Sequence, residues 1–217
     1  MQVIRKTKQD VVAEFRSAEI LNAARRVFAR KGFEAASVDE IAEAAGLAKG
    51  TVYIYFRSKR DLYLAALQQG IAGLMDETRH DVEAAQTAAE KIRAFLLARI
   101  RYAEANPDFV RVCQAGFGAV RPCGLNREFK SLCQRQVQVL ERVIEEGSAR
   151  GEIRPVPAAA AAFLVCEMGR ALIGRRLMGW SRASAEEDVD SLFELIWKGL
   201  AGPCDRTSPG EGSCIVH

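Results

Sequence analysis

The stretch AKGTVYIYFRSKRDL, Ala48 to Leu62, gathers the side chains that a polyanion would meet. Tyr53, Tyr55 and Phe56 put three rings within four positions, and Lys49, Arg57, Lys59 and Arg60 flank them. Cationic side chains and tyrosyl hydroxyls bind phosphate, and a lysine can also donate to the N7 and O6 edge of guanine. In a helix that starts at Lys49, Val52 and Phe56 fall four apart and point into a core. Lys49 and Tyr53, also four apart, share a different face. Gly50 has no side chain, which at the front of a helix lets backbone come close to a ligand. An anchored back, an open front and donors at the N-terminal end are what a groove-reading helix requires.

Charge distribution points the same way. The formal net charge of the 217-residue chain is only +3, yet residues 1–60 carry 12 Lys/Arg against 7 Asp/Glu, and residues 61–217 carry 19 against 21. A basic head on a slightly acidic body suggests a polyanion partner for the head. With 49% apolar residues the chain can build a sizeable core.

Other chemistry is poorly provided for. There are two histidines, His80 and His217, with no nucleophile–base–orienter set, no phosphate-cradling glycine loop and no paired-histidine metal pattern. The reading is a chain that is not an enzyme and uses no cofactor and no metal. The six cysteines form no Cys-x-x-Cys pair. Cys113, Cys123 and Cys133 are spaced ten apart, near Arg111, Arg121 and Arg135. Two readings stay open for them: a thiol sensor whose pKa values the arginines lower, or small core residues. No apolar run follows the charges of MQVIRKTKQD, and PVPAAAAAFLVC is too short to span a bilayer. A cytoplasmic chain with no membrane partner is expected.

The elements that must position these residues are helices. Strand-like alternation is absent, so the fold class is all-α, with about nine helices. TKQD offers a capping box for a first helix over about Asp10 to Lys31, stopped by Gly32. Ser37 and Glu40 of SVDE make a second box, and Gly46 ends that short helix. The third spans about Lys49 to Phe56, and Ser58 caps a fourth over about Lys59 to Arg79. Further helices cover about Glu83 to Ala105, a start at Pro107 broken by GAVRPCG (118–124), Leu125 to Arg150, an eighth to about Gly179, and Ala185 to Leu200. Three domains follow: residues 1–58, a helix-turn-helix head with an N-terminal arm; 59–201, a helical bundle; and 202–217, a disordered tail.

The segment ASVDEIAEAAGLAKGTVYIYFRSKRDLYLAAL resembles the DNA-binding signature of the tetracycline-repressor (TetR) family of bacterial regulators, a likeness that runs over roughly Ala13 to Leu67. The resemblance implies an all-helical homodimer that binds operator DNA and is released by a small-molecule effector, and family habit favours a repressor over an activator. It places Ser37 near a phosphate, and capping by the same hydroxyl can coexist with that. It places Lys49, Gly50 and Thr51 at base edges and backbone, with Lys49 open to a base or to a phosphate. Tyr53, Tyr55 and Lys59 fall at phosphates. The thiol sensor built on Cys113, Cys123 and Cys133 remains the alternative on the same scaffold.

The resemblance also assigns the last two long helices to a four-helix dimer interface. The ninth carries Val189, Leu192, Phe193, Ile196, Trp197 and Leu200 as one broad apolar stripe. Val189, Phe193, Ile196 and Trp197, with Met168, Leu172 and Arg176 of the eighth, are the interface residues expected. The fifth to eighth helices should enclose a pocket for an unidentified hydrophobic effector, lined by Phe95, Arg99, Tyr102, Phe109, Cys113, Phe117 and Glu167. Arg99 interrupts an apolar stripe, where a buried charge needs a partner: an anionic ligand, or an acid such as Glu167.

Overall fold

The computed structural model describes residues 7–117 and 126–200. Among them the chain forms α1 (Lys8–Ala35), α2 (Val38–Ala44), α3 (Lys49–Tyr55), α4 (Lys59–Ala84), α5 (Ala88–Ala105), α6 (Pro107–Phe117), α7 (Asn126–Ala149), α8 (Ala158–Leu177) and α9 (Ala185–Leu200). The fold is all-α, as the sequence predicts. No helix among the described residues is long and apolar enough to cross a membrane. The break over 118–124 and the tail over 202–217 lie outside the described residues.

Short-range chemistry sets most boundaries. Thr7 with Asp10, Ser37 with Glu40, and Thr87 with Glu90 close reciprocal capping boxes at the starts of α1, α2 and α5. Each such cap contributes about 1 kcal/mol. Gly32, at φ 75°, kinks α1 near its end, and Phe33 turns back so that its ring stacks 6.1 Å from that of Phe28. Gly46, at φ 67°, makes the turn from α2 to α3. Two boundaries depart from expectation: α1 runs across the Gly32 kink to Ala35 rather than stopping after Lys31, and the break between α4 and α5 is displaced. α4 continues past Arg79 to Ala84, and α5 begins at Ala88 rather than Glu83. The residues between are good helix formers, so periodicity runs through the break. Thr87 decides it by capping α5, while Ala85 is extended.

The head is built on Ile20, Ala24, Phe28, Ile41, Val52 and Leu62, all buried. Tyr63 packs edge-on against Phe28 and Phe33, with centroids 5.0 and 5.1 Å away. In the body α4 packs on α5, α7 on α8 and α5 on α9. Phe95, Leu96, Ile100, Leu140 and Ile144 are buried there, each worth about 1.5–3 kcal/mol of transfer free energy. α6 packs against both α1 and α4, so it touches head and body together.

Candidate nucleic-acid interface and effector cavity

The front of the head is built by α2 and α3. Val52 is buried to 1% and anchors the back of α3. Lys49, Gly50 and Tyr53 are exposed, and Thr51 and Tyr55 are half-buried. Tyr55 leans on the core; Tyr53 is 45% exposed and free to turn outward. Ile54 is 79% exposed. The sequence reading did not single it out. Its spacing of four from Gly50 was the available signal, since that places both on the open face. A methyl at Gly50 would meet nothing within 4 Å, so the fold itself does not demand glycine there.

Ser37 is half-buried and caps α2: its Oγ accepts from the Glu40 backbone N–H at 3.2 Å. The Lys49 ammonium donates to Asp39 Oδ2 at 2.7 Å. That hydrogen bond, with the charge of the same carboxylate, pushes the Lys49 pKa above its ordinary value, so the side chain is a fixed cation. Lys59 is otherwise engaged. Its Nζ donates to the carbonyls of Glu34 and Ala36, both at 3.0 Å, and sits 4.7 Å over the Phe33 ring. It ties the start of α4 to the end of α1, and only its remaining donor could turn to a phosphate.

The body holds two adjoining cavities of about 880 and 850 Å³. Ile71, Leu74, Arg99 and Gln136 border both. The larger lies among α4 to α8 and is walled by Tyr102, Ala103, Phe109, Val110, Phe163 and Ile173, among others. The second lies between α4, α5 and α7, and Arg79, Lys91, Arg135 and Arg142 border it together with Asp76, Glu83 and Glu146. Both chambers are mainly apolar; Glu141, Glu167 and Arg170 also border the first, and in the second Arg79 pairs with Asp76 and Lys91 with Glu146. Arg99, only 9% exposed, stands at their junction, 5.3 Å from the Phe95 ring and hydrogen-bonded to Gln136 Oε1.

Of the residues expected in the pocket, Arg99, Tyr102, Phe109, Cys113 and Glu167 border the larger cavity. Phe95 borders the second, and the Phe117 side chain lies outside the described residues. Glu167 and Arg99 each have a hydrogen bond elsewhere, Glu167 with Arg170 and Arg99 with Gln136. Cys123 and the Cys133 side chain lie outside the described residues. Cys113 is half-buried. Cys166, which the sequence reading passed over, borders the larger cavity, and burial pushes its thiol pKa up despite the nearby Arg99. That is the opposite of a reactive thiolate. Among the described residues no cluster of His, Cys, Asp and Glu could hold a metal ion.

Two buried phenols join this cavity wall to the long α4. Tyr102 donates to the Gly70 carbonyl at 2.8 Å, and Tyr63 donates to the Val112 carbonyl of α6 at 3.1 Å. Burial pushes the Tyr63 pKa up to about 12, so the phenol stays a donor. Phe109 lies edge-on to Tyr102 at 5.6 Å and is seated over Gly70 so closely that a methyl there would fall 2.1 Å from its ring.

α8 presents exposed apolar side chains, and α9 carries a further exposed leucine. Phe163, Leu164 and Met168 are 45–55% exposed, and Leu195 is 74% exposed. Of the residues expected at a dimer interface, Met168 is among these. Phe193 and Trp197 are half-buried and stacked on each other at 5.6 Å. Leu172, Val189 and Ile196 are buried within the chain and have little surface left to offer. Arg176 is held inside by Asp188 at 2.5 Å and by Glu104.

The model for bacterial regulatory proteins of the tetR family matches residues 20–66. The model for the tetracyclin repressor-like C-terminal domain matches residues 85–173. The fatty acid metabolism regulator protein of Bacillus subtilis is 24% identical over 136 residues, 63% of this chain and 70% of that protein. The HTH-type transcriptional activator FasR of Mycolicibacterium smegmatis is 38% identical over 79 residues, 36% of each. FadR from Bacillus subtilis, solved in complex with stearoyl-CoA, shares the fold at a TM-score of 0.77 and 21% identity, covering 84% of this chain and 98% of that one. AibR, solved with isovaleryl coenzyme A and operator DNA, does so at a TM-score of 0.69 and 21% identity over the same shares. With a matching family model over its head and another over its body, the chain belongs to the tetracycline-repressor family of DNA-binding transcriptional regulators.

Proposed function

We propose that the protein is a homodimeric repressor that leaves its operator when an acyl-coenzyme A thioester occupies the paired cavities. The observation that carries this reading is a pair of adjoining, mainly apolar cavities that meet at Arg99 and Gln136, the second of them also bordered by Arg135 and Arg142. A ligand matching both halves has a long hydrocarbon end and a multiply anionic end. A fatty acyl chain in the first and coenzyme A phosphates beside Arg135 and Arg142 in the second satisfy that description. The stearoyl-CoA bound to FadR and the isovaleryl coenzyme A bound to AibR belong to the same ligand class.

Release follows from the contacts of α6. An acyl chain filling the larger cavity presses on Phe109 and Val110, while α6 is bonded to α4 through Tyr63 and packs on α1. The occupied conformation is a different setting of α4 and α6, and hence of the head. The effector favours it only by the difference in its affinity for the two settings. Two heads must be spaced about 34–36 Å apart to enter successive major grooves. Small changes in setting therefore separate operator-competent from incompetent dimers. The exposed side chains of Phe163, Leu164, Met168 and Leu195 supply the surface for the second copy.

The test is fluorescence anisotropy of the full chain on duplex DNA from upstream of its own gene, titrated with stearoyl-CoA, isovaleryl-CoA, coenzyme A and stearate. Release by an acyl-CoA, and not by coenzyme A or stearate alone, is the expected result. DNA binding that none of the four changes refutes the effector assignment, and binding strengthened by acyl-CoA refutes release by the ligand.

A further inference from the structure

The ion pair on the front of the head does more than the family reading requires. Asp39 lies in the first turn of α2, and Lys49 opens α3. Their side chains are 64% and 50% exposed, yet Nζ and Oδ2 are 2.7 Å apart. An exposed pair contributes little to stability, about 0–1 kcal/mol. A carboxylate here also carries a cost of its own, because it stands on the surface that approaches phosphates. What the pair does provide is a set of donors beside an acceptor. The ammonium has three donors, one of which Asp39 engages, and two remain. The carboxylate keeps Oδ1 as an acceptor beside them.

We propose that Asp39 and Lys49 act as one composite reader of a single G·C base pair in each operator half-site, with Asp39 as a specificity-determining residue. In the major groove a G·C pair presents two acceptors, guanine N7 and O6, followed by the cytosine N4–H donor. The two spare ammonium donors match the first two, and Asp39 Oδ1 accepts from the third. An A·T pair presents acceptor, donor, acceptor and then a methyl group, so the ammonium meets the adenine N6–H₂ and the carboxylate meets thymine O4. Both mismatches are repulsive. Asp39 also withholds Lys49 from the backbone: an ammonium held by a carboxylate is a poor phosphate ligand, and the carboxylate repels phosphate. The pair thus gives up non-specific affinity and gains discrimination.

The two residues predict opposite effects on mixed-sequence DNA and the same effect on one base pair. The experiment is in vitro selection from a randomised duplex library with the wild-type full chain, Asp39→Asn and Lys49→Ala. It is accompanied by salt titrations on a mixed-sequence duplex and by thermal melts that verify folding. The wild type should enrich a G·C pair in each half-site. Both variants should lose about tenfold preference at that same pair and leave the other positions unchanged. Asp39→Asn should bind the mixed-sequence duplex more tightly, with a salt slope steeper by about one phosphate contact per head, as the freed lysine moves to the backbone. Lys49→Ala should bind it more weakly. The proposal is overturned by a wild-type motif with no such G·C pair. It is equally overturned if Asp39→Asn retains the wild-type preferences, if the two variants affect different base pairs, or if Asp39→Asn binds mixed-sequence DNA less tightly. Asp39→Ala repeats the comparison if the asparagine side chain builds a contact of its own.

Discussion

Replacing Gly50 by alanine separates what the fold needs from what DNA needs. The added methyl meets no heavy atom within 4 Å, so it causes no clash within the head. Gly50 lies inside α3, its φ is not positive, and alanine in place of a helical glycine stabilises by about 0.5–1 kcal/mol. In a chain of this length that is a rise of about 1–4 °C in melting temperature. On the duplex the sign reverses. A methyl at the front of α3 fills the gap through which backbone approaches the groove, at a cost comparable to a mismatched base pair, about 1–3 kcal/mol per head. Taken at its lower end this is about sixfold in affinity for one head, and the factor is squared when two heads bind together. Circular dichroism melts and anisotropy titrations on the same preparation measure both. A raised melting temperature with unchanged DNA affinity would show that Gly50 does not lie at the contact. A lowered melting temperature would show that the methyl is not accommodated as the geometry requires.

Further perturbations address the other parts. Ile54→Ser removes an exposed apolar side chain suited to a thymine methyl, and should lower affinity by about 1 kcal/mol, lost only on half-sites containing that thymine; affinity measured on thymine and uracil versions of the site distinguishes this from a general loss. Gly70→Ala puts a methyl 2.1 Å from the Phe109 ring and should displace α6 as a ligand would, at about 1–3 kcal/mol of overpacking; operator affinity measured without effector should already be reduced. Leu164→Glu with Met168→Glu should convert a dimer to monomers in analytical ultracentrifugation and weaken operator binding together with it. Burial alone would raise the Asp188 pKa, but hydrogen bonds from Ser181 and Arg176 and the charges of Arg176 and Arg175 outweigh it, so the carboxyl is held below the ordinary aspartate value. Its contribution is then complete above that value and is lost as pH falls through the folded pKa. Asp188→Asn should lower stability at neutral pH and flatten this acid loss, read from urea unfolding at pH 3 and pH 7.

The head was legible residue by residue because its signals are local. Ser37 with Glu40, and Gly46, are a cap and a turn whose chemistry acts within a few positions, and the structure has each where the sequence puts it, whereas Gly32 only kinks α1, which resumes to Ala35. Lys59 was less so: its part in closing α1 depends on where the carbonyls of Glu34 and Ala36 end up, some two dozen residues back. The body yields its helices but not their partners. The stripe on α9 is correctly apolar, yet periodicity gives no sign that Val189 and Ile196 face the chain itself while Leu195 faces outward. α8 is apolar almost all round, so no stripe distinguishes its covered side from its open one. The second chamber was missed for the same reason: Arg79, Lys91 and Arg142 come from three helices, and only packing brings them together.

The length of α4 has a mechanical consequence. Its 26 residues make a rod of about 39 Å, tied to the head at Lys59 and bordering the cavities from Gln68 to Glu83. A rod of that span tilted by about 5° sweeps its far tip through about 3.4 Å, which is one base-pair step of a duplex. If the ligand releases the operator as proposed, a lever of this reach would turn an adjustment no larger than a side-chain repacking into a full register error at the groove.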